Sequence, residues 1–226
     1  MVTLFYCKNT LLLSEERWCL LLHKLPDTLH DDICRFHRWQ DRQACLYGKL
    51  LLIKGLSHLG YSHSLLEEIH YNAFKRPYLM DTPDFNISHT EGGVICAFSS
   101  KGRIGADIEK ICPIELNDLA NYMTEKQWQD IYQHASPLSR FYYYWTIKES
   151  VMKADGRGMY LPLDTISLTE GLAEVEGKIW QLHTIHLPEL PDHSCHIANE
   201  RNVASITTQY CDFTQSCDFT QSDDIF

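Results

Sequence analysis

The sequence predicts an α+β fold, and three observations carry that prediction. Residues 31–59 form the longest helical pattern, with apolar side chains along one stripe, and residues 139–155 form a second helical pattern. From residue 165 onward the chain changes to short β segments separated by turn signals. Periodicity alone supports no finer class than α+β.

Shorter patterns place the other elements. Pro26 ends one helix, and Thr124 with Gln127 has the capping-box form that begins another. Residues 99–102 form a turn between two strands, so we expect these strands to pair as a hairpin. In chain order the predicted elements are a strand at 2–6, a helix at 11–25, the hairpin strands at 94–98 and 103–109, and helices at 114–122 and 124–134.

Length and composition narrow the classes of function. The chain has 226 residues, which suits one large domain or two small ones. Its formal net charge of −10 argues against nucleic acid as the main partner. No stretch approaches the ~20 apolar residues of a membrane span, and the nine cysteines lack zinc-type spacing, which indicates reduced thiols. We therefore expect a cytoplasmic monomer that binds neither membranes nor nucleic acid.

Three acidic residues and one lysine form a candidate metal site. Asp107 and Glu109 lie two residues apart on a predicted strand, so their side chains point to the same face. Glu149 and Lys153 lie four residues apart on a predicted helix and share a face, in a helix expected to end at a glycine C-cap. Oxygen ligands of this kind suit Mg²⁺, which usually shares its coordination with phosphates. The alternative interpretation is a strand with one wet side and a solvated ion pair on a helix.

A third stretch, at residues 85–90, makes the pattern specific. In the order F-N-I-S-H-T, G-A-D-I-E and W-T-I-K-E-S-V-M-K-A-D-G-R-G, the three motifs resemble the signature of the Sfp-type (surfactin-type) 4′-phosphopantetheinyl transferases. The similarity runs from about residue 35 to about residue 168. Three separated motifs in the same order are far more specific than any one of them.

The resemblance implies two similar α/β subdomains related by a pseudo-twofold axis, with the active site at their interface. We expect an N-terminal subdomain at residues 1–102, which binds coenzyme A, and a C-terminal subdomain at residues 103–209, which carries the metal ligands and the catalytic helix. Residues 210–226 contain C-D-F-T-Q-S twice in tandem, and we expect them to form a disordered tail.

The resemblance also implies the reaction. A transferase of this family moves the 4′-phosphopantetheine arm of coenzyme A onto a serine of an apo acyl or peptidyl carrier protein and releases adenosine 3′,5′-bisphosphate. Asp107, Glu109 and Glu149 are the implied ligands of Mg²⁺. Asp107, Glu149 and Lys153 are the implied catalytic residues, and Lys153 is expected to pair with a pyrophosphate oxygen.

Five further residues are implied as contacts of coenzyme A. Ser88, His89 and Thr90 match the part of the motif that touches this ligand, and His89 is expected at its 3′-phosphate. Arg76 stands before a proline where the family often has lysine, and arginine can contact a phosphate through two hydrogen bonds. Lys75 precedes it and is expected at the same ligand.

The sequence departs from the family pattern at two positions. Ala44 stands where the family often has an arginine, and we expect Arg42 or Arg38 to take its place. Gln127 stands where some members have a glutamate that is a proposed base, and an amide cannot accept a proton at neutral pH. The base is then Glu149 or a metal-bound water, and Gln127 is a helix cap.

Two other functions stay open at this point. A metal-dependent phosphohydrolase could use the same three carboxylates with water as the nucleophile, without needing the S-H-T motif. A non-catalytic relative that only binds carrier proteins would be expected to lose a metal carboxylate, and none is lost. Fatty-acid, polyketide and peptide carriers are all compatible with the sequence.

Overall fold

The computed structural model describes residues 1–215, with the backbone alone at residue 117, and shows a mixed helix and sheet structure. The α+β prediction is confirmed. The α-helices of these residues are α1 (Glu15–Leu22), α2 (His30–Cys34), α3 (Trp39–His58), α4 (Glu125–Gln133) and α5 (Pro137–Asp155). Their strands are β1 (Val2–Asn9), β2 (His70–Tyr71), β3 (Pro77–Tyr78), β4 (Asp84–Thr90), β5 (Gly92–Ser99), β6 (Ile104–Lys110), β7 (Ser167–Thr169), β8 (Leu172–Val175), β9 (Lys178–Thr184), β10 (His193–Asn199) and β11 (Ile206–Tyr210).

These strands form two main sheets and one small hairpin. The first sheet has the order β11-β1-β5-β4, and the second has the order β6-β10-β9-β8-β7. Strands β1 and β11 run parallel, and the other pairs of both sheets are antiparallel. The small hairpin joins β2 to β3. Each half of the chain therefore supplies most of one sheet.

Alternation along the strands divides the apolar residues between two layers. On β1, Phe5 faces a core that it shares with α3, whereas Leu4 faces a layer between the sheets. Ile108 of β6 and Ile197 of β10 enter the same inter-sheet layer from the second sheet. Helix α3 packs on β1 and β5, and α5 packs on β6 and β10. The sheets thus meet face to face, and a long helix covers the outer face of each.

Two predicted elements differ from the structure. Residues 31–59 form two helices, because the chain leaves helical geometry between Cys34 and Trp39. The hairpin of β5 and β6 is wrong: β5 pairs with β1 and β4 on its two edges, and β6 pairs with β10. A strand has only two edges, so β6 continues into the second sheet. Among residues 1–215, no helix has the length and hydropathy needed to cross a membrane.

The packed part of the chain extends further towards the C-terminus than predicted. Strand β11 pairs with β1 of the first sheet, although residues 206–209 were expected in the second subdomain. Cys211 and Phe213 are buried, and the Phe213 ring lies 5.0 Å from the Tyr47 ring between centroids. Nε of Arg17 donates to the Phe213 carbonyl at 2.8 Å. The prediction of a disordered tail is therefore wrong for residues 210–215. The rest of the predicted tail lies outside the described residues.

We predict that truncating the chain after Tyr210, which removes residues 211–226 and with them the buried Phe213, lowers the free energy of unfolding. The loss should be about 3–5 kcal/mol, the usual cost of deleting a buried phenylalanine side chain. The two tandem copies of C-D-F-T-Q-S are identical, so deleting either one gives the same chain, with phenylalanine again at position 213. That single deletion is the control and should melt close to the full chain. Equal melting temperatures for the two deletions would contradict a stabilising role of Phe213.

Candidate active site

Strand β6 delivers the acidic pair to the junction of the two halves. Gly105, Asp107 and Glu109 occupy every second position of β6 and share the face that contacts α5. A Cβ atom on Gly105 would lie 2.0 Å from the carbonyl oxygen of Ser150, so only glycine permits this approach of helix and strand. The approach brings Nζ of Lys153 within 2.5 Å of the buried Oδ1 of Asp107.

Side chains of β4 bind the edge of β6, and we call these contacts the polar seam. Odd-numbered residues of β4, such as Phe85, face the core under α3, while the even-numbered residues face β6. Asp84 Oδ2 accepts from the Ile104 amide at 2.7 Å, Asn86 Oδ1 from the Ala106 amide at 2.9 Å, and Thr90 Oγ1 from the Lys110 amide at 3.4 Å. The seam satisfies backbone donors that strand pairing leaves free on this edge.

Two hydroxyl groups of the seam hold the acidic pair. Ser88 Oγ donates to Asp107 Oδ1 at 3.0 Å, and Thr90 Oγ1 donates to Glu109 Oε2 at 2.8 Å. Lys153 also donates to Ser88 Oγ at 2.9 Å. The structure therefore gives Ser88 and Thr90 a positioning role that the sequence analysis missed. The sequence shows one regularity at these positions, since each of the two hydroxyl residues lies 19 residues before the carboxylate that it binds.

The charges of the site act on one another. Burial raises the pKa of Glu149 to about 7, with Lys153 opposing the shift and Asp107 and Glu109 adding to it. Burial and Asp107 also raise the pKa of Glu109. Burial opposes the charge of Lys153, whose side chain is 27% exposed, but the three carboxylates raise its pKa overall. The structure thus places Asp107, Glu109 and Glu149 within electrostatic range of Lys153.

The chemistry of these groups fits a hard divalent cation. Asp107 Oδ2 is buried and has no hydrogen-bond partner among the described residues. Carboxylate oxygens are the ligands that Mg²⁺ takes, and Mg²⁺ commonly uses one or two of them together with waters and substrate phosphates. Among residues 1–215, however, no three His, Cys, Asp or Glu side chains form a ready-made metal cluster. The site therefore offers ligands to a cation without enclosing it.

His89 lies beside the acidic group, on the other face of β4. Its side chain reaches the surface, but surrounding protein atoms desolvate the ring and lower its pKa, and Lys153 lowers it further. Asp41, near the start of α3, opposes this shift. Arg42, one residue further, stacks over the Trp18 ring at 5.3 Å, so the structure places it at the contact of α1 and α3.

Arg76 is not placed as predicted. Its guanidinium is buried and donates to both carboxylate oxygens of Asp84, at 3.0 and 2.7 Å. It also donates to the carbonyl oxygens of Ile104 at 2.8 Å and Lys153 at 3.0 Å. With its donors used inside the protein, Arg76 joins the polar seam to α5 and does not face a ligand. Lys75, the preceding residue, is exposed.

The predicted ends of two helices are confirmed. Thr124 accepts from the Gln127 amide, and the Gln127 side chain accepts from the Thr124 amide at 3.0 Å, which completes a capping box at the start of α4. Gln127 is thus a helix cap, as the absence of an ionisable group at this position indicated. Helix α5 ends at Gly156, whose φ of 87° is left-handed and suits glycine.

A groove of about 820 Å³ lies on the other side of α5, between α4, α5 and strands β7, β9 and β10. None of the residues predicted to bind metal or coenzyme A lines it. His196 in its wall is buried, and burial lowers its pKa to about 3. Its two ring nitrogens bond to Thr146 at 2.7 Å and Thr184 at 3.1 Å. We interpret His196 as a neutral structural residue.

Comparison with known proteins identifies the family. The model of the 4′-phosphopantetheinyl transferase superfamily matches residues 103–210. The transferase ffp of Bacillus subtilis is 30% identical over 181 residues, which cover 78% of this chain and 77% of that protein. The transferase gsp of Aneurinibacillus migulanus is 32% identical over 163 residues, which cover 69% of this chain and 68% of that protein. The chain belongs to the 4′-phosphopantetheinyl transferase family.

A third relative supports the Sfp type. The transferase Sfp of Bacillus subtilis (strain 168) is 33% identical over 138 residues, which span 59% of this chain and 61% of that protein. The predicted family, and with it phosphopantetheine transfer as the reaction class, is confirmed. The three carboxylates and the lysine described above are therefore the candidate active site.

We predict that Arg76→Ala destabilises the fold instead of only weakening a ligand contact. The substitution leaves Asp84 without its charged partner, which should lower the free energy of unfolding by about 3–5 kcal/mol. Lys75→Ala is the matched control, since this neighbouring cation is exposed, and its melting temperature should equal that of the parent. Equal melting temperatures for Arg76→Ala and Lys75→Ala would show that the polar seam does not depend on Arg76.

We predict that Glu149 makes the fold less stable as the pH rises. Its pKa lies at about 7 in the folded chain against an ordinary 4.5, so the folded state binds more protons within that interval and stability falls across it. In the presence of a chelator, the free energy of unfolding of Glu149→Gln near pH 8 should exceed that of the parent by on the order of 2 kcal/mol. This figure allows for partial solvent screening. Urea unfolding between about pH 5 and 8 measures this, and parallel profiles for the two proteins would contradict it.

Proposed function

We propose that this chain transfers the 4′-phosphopantetheine arm of coenzyme A to a serine of an apo carrier protein, with Mg²⁺ as cofactor. The observation that carries the proposal is the meeting of Asp107, Glu109, Glu149 and Lys153 at one place, with Asp107 Oδ2 buried and unpartnered. Burial raises the pKa values of Glu149 and Glu109, and neighbouring carboxylates add to both shifts, so the ionised forms of these residues oppose folding. Such a cost indicates a functional site.

Each group has a definite part in this reaction. Asp107, Glu109 and Glu149 would hold the cation, which when bound would neutralise charge on the pyrophosphate. Lys153 would place its ammonium on a pyrophosphate oxygen, and Ser88 and Thr90 would keep the acidic pair oriented. A carboxylate oxygen of Glu149 that the cation leaves free would accept the proton of the attacking serine.

The bonds of the reaction follow from this arrangement. The serine oxygen attacks the phosphorus that bears the pantetheine arm, and the bond from that phosphorus to the bridging oxygen breaks. Adenosine 3′,5′-bisphosphate leaves with that oxygen, while Glu149 takes the serine proton. His89 would contact the 3′-phosphate of the donor. The exposed Lys75, and Arg42 near the start of α3, would be further cations for this ligand.

The expected setting of the enzyme is also a proposal. Acidic composition, cysteines that form no disulfide within residues 1–215 and the match to transferases of this family support a cytoplasmic monomer. Coenzyme A and an acyl or peptidyl carrier protein would be its partners, without nucleic acid or membrane.

Incubation with coenzyme A, Mg²⁺ and an apo carrier protein tests the function. We expect the intact mass of the carrier to increase by one phosphopantetheine group. Asp107→Asn should lower kcat at least about a hundredfold, or ~2.7 kcal/mol of transition-state stabilisation. Asp27→Asn, at a 99% exposed side chain, is the control and should keep the parent rate. Hydrolysis of coenzyme A without carrier modification would favour a phosphohydrolase, and carrier binding without either product would favour a binding protein.

We predict that His89→Ala discriminates between two donors. If His89 binds the 3′-phosphate, the variant should raise the KM for coenzyme A roughly ten- to a hundredfold, as expected for a lost charge-assisted hydrogen bond of ~1.5–3 kcal/mol. The KM for dephospho-coenzyme A should change little. His63→Ala, at an exposed histidine of the same half, is the control. Equal effects of His89→Ala on both donors would make His89 structural.

A further inference from the structure

We propose that Lys153 has a second role: its ammonium group occupies the acidic site as an internal counterion, which the divalent cation must displace and which coenzyme A draws away. This inference rests on the proposed function, since it concerns the same Mg²⁺ site. It goes beyond a phosphate contact by Lys153, because it makes the binding of metal and donor interdependent.

The contacts of Lys153 carry the first step. Its Nζ lies 2.5 Å from Asp107 Oδ1 and 2.9 Å from Ser88 Oγ, while Ser88 itself donates to the same Asp107 oxygen. Asp107 is only 2% exposed, so this contact compensates a charge that water cannot reach. One oxygen of Asp107 is thus engaged twice, and the other has no hydrogen-bond partner within residues 1–215.

The range of the ammonium charge carries the second step. Lys153 acts on Glu149 and Glu109 as well as on Asp107, so one cation partly neutralises all three predicted metal ligands. A divalent cation held by the same carboxylates would experience repulsion from the ammonium at close range. Binding of Mg²⁺ alone must therefore include the cost of moving or screening Lys153.

The third step links the metal to the donor. A pyrophosphate beside the site offers the Lys153 ammonium new oxygen acceptors. When these acceptors are present, the ammonium can leave Asp107. The length of the lysine side chain and the contact with Ser88 then keep it close to the site. Removing the ammonium from Asp107 favours Mg²⁺, and by thermodynamic reciprocity Mg²⁺ then favours the donor by the same factor. The device would keep the metal site weak until coenzyme A arrives.

Titration calorimetry with Mg²⁺ on the whole chain tests this role. Measured without coenzyme A, near pH 8 so that the carboxylates are ionised, Lys153→Met should bind Mg²⁺ at least about tenfold more tightly than the parent. Lys126→Met removes the same charge from an exposed position of α4 and should bind Mg²⁺ as the parent does. Lys153→Arg keeps a cation and should also keep the weak affinity.

A second measurement covers the coupling and the folding of the variants. Repeating the titrations with saturating coenzyme A should strengthen Mg²⁺ binding in the parent by a larger factor than in Lys153→Met, which lacks the ammonium to be drawn away. Lys153→Gln, whose amide can still donate to Ser88, is run in parallel in case the methionine variant unfolds. A chain that folds only with Mg²⁺ supports the inference, because the metal then replaces the lost counterion.

Three outcomes separate failure of this inference from failure of the proposed function. Equal or weaker Mg²⁺ affinity in Lys153→Met and Lys153→Gln, with binding intact in the parent, overturns the counterion role alone. Equal coupling to coenzyme A in the parent and both variants overturns it as well. Absence of Mg²⁺ binding in every protein, with and without coenzyme A, overturns the proposed metal site and the inference with it.

Discussion

The polar seam between β4 and β6 is the constraint on which the site depends. Both strands lie at the edges of their sheets and run side by side without pairing, so the facing backbone donors of β6 need other acceptors. Asp84, Asn86 and Thr90 supply these acceptors from every second position of β4, apart from Ser88, which turns to the Asp107 carboxylate. The two sheets are thereby held in register without merging, and the acidic pair is fixed at their junction.

Two buried ion pairs meet the seam at different points. Arg76 pairs with Asp84 near one end, and Lys153 pairs with Asp107 further along. Arg76 also binds the Lys153 carbonyl, so both pairs converge on α5. A buried pair adds little net stability, but breaking one leaves a costly unpaired charge. We infer that these pairs specify how α5 sits on the seam more than they stabilise the fold.

The acidic group shows how stability and function oppose each other in this chain. Burial, with the charge of Asp107 adding to it, raises the pKa values of Glu149 and Glu109, so the folded state holds charges that the unfolded chain would keep apart and in water. Such a local conflict is expected where a protein must bind a cation and a phosphate. Gly105 permits it, since the close contact of β6 and α5 places the groups within reach of one another.

Features that depend on neighbours along the chain could be predicted from the residues alone. The common face of Asp107 and Glu109, the shared turn of Glu149 and Lys153, the capping box of α4 and the Gly156 cap all follow from local periodicity and backbone geometry. The three motifs in their order added the family, and hence the meeting of these groups. Local pattern carried no information about which strand edges would be occupied.

Contacts between residues that lie far apart in sequence became known from the tertiary structure alone. It placed β1 and β4 on the two edges of β5, which excluded the hairpin with β6, and it brought β11 and Phe213 back to the first half. It also turned Arg76 inward to Asp84, because that carboxylate and the carbonyl of Ile104 meet at the seam. Hydrogen bonds and packing between distant segments depend on how the sheets stack, and no short stretch of sequence contains that relation.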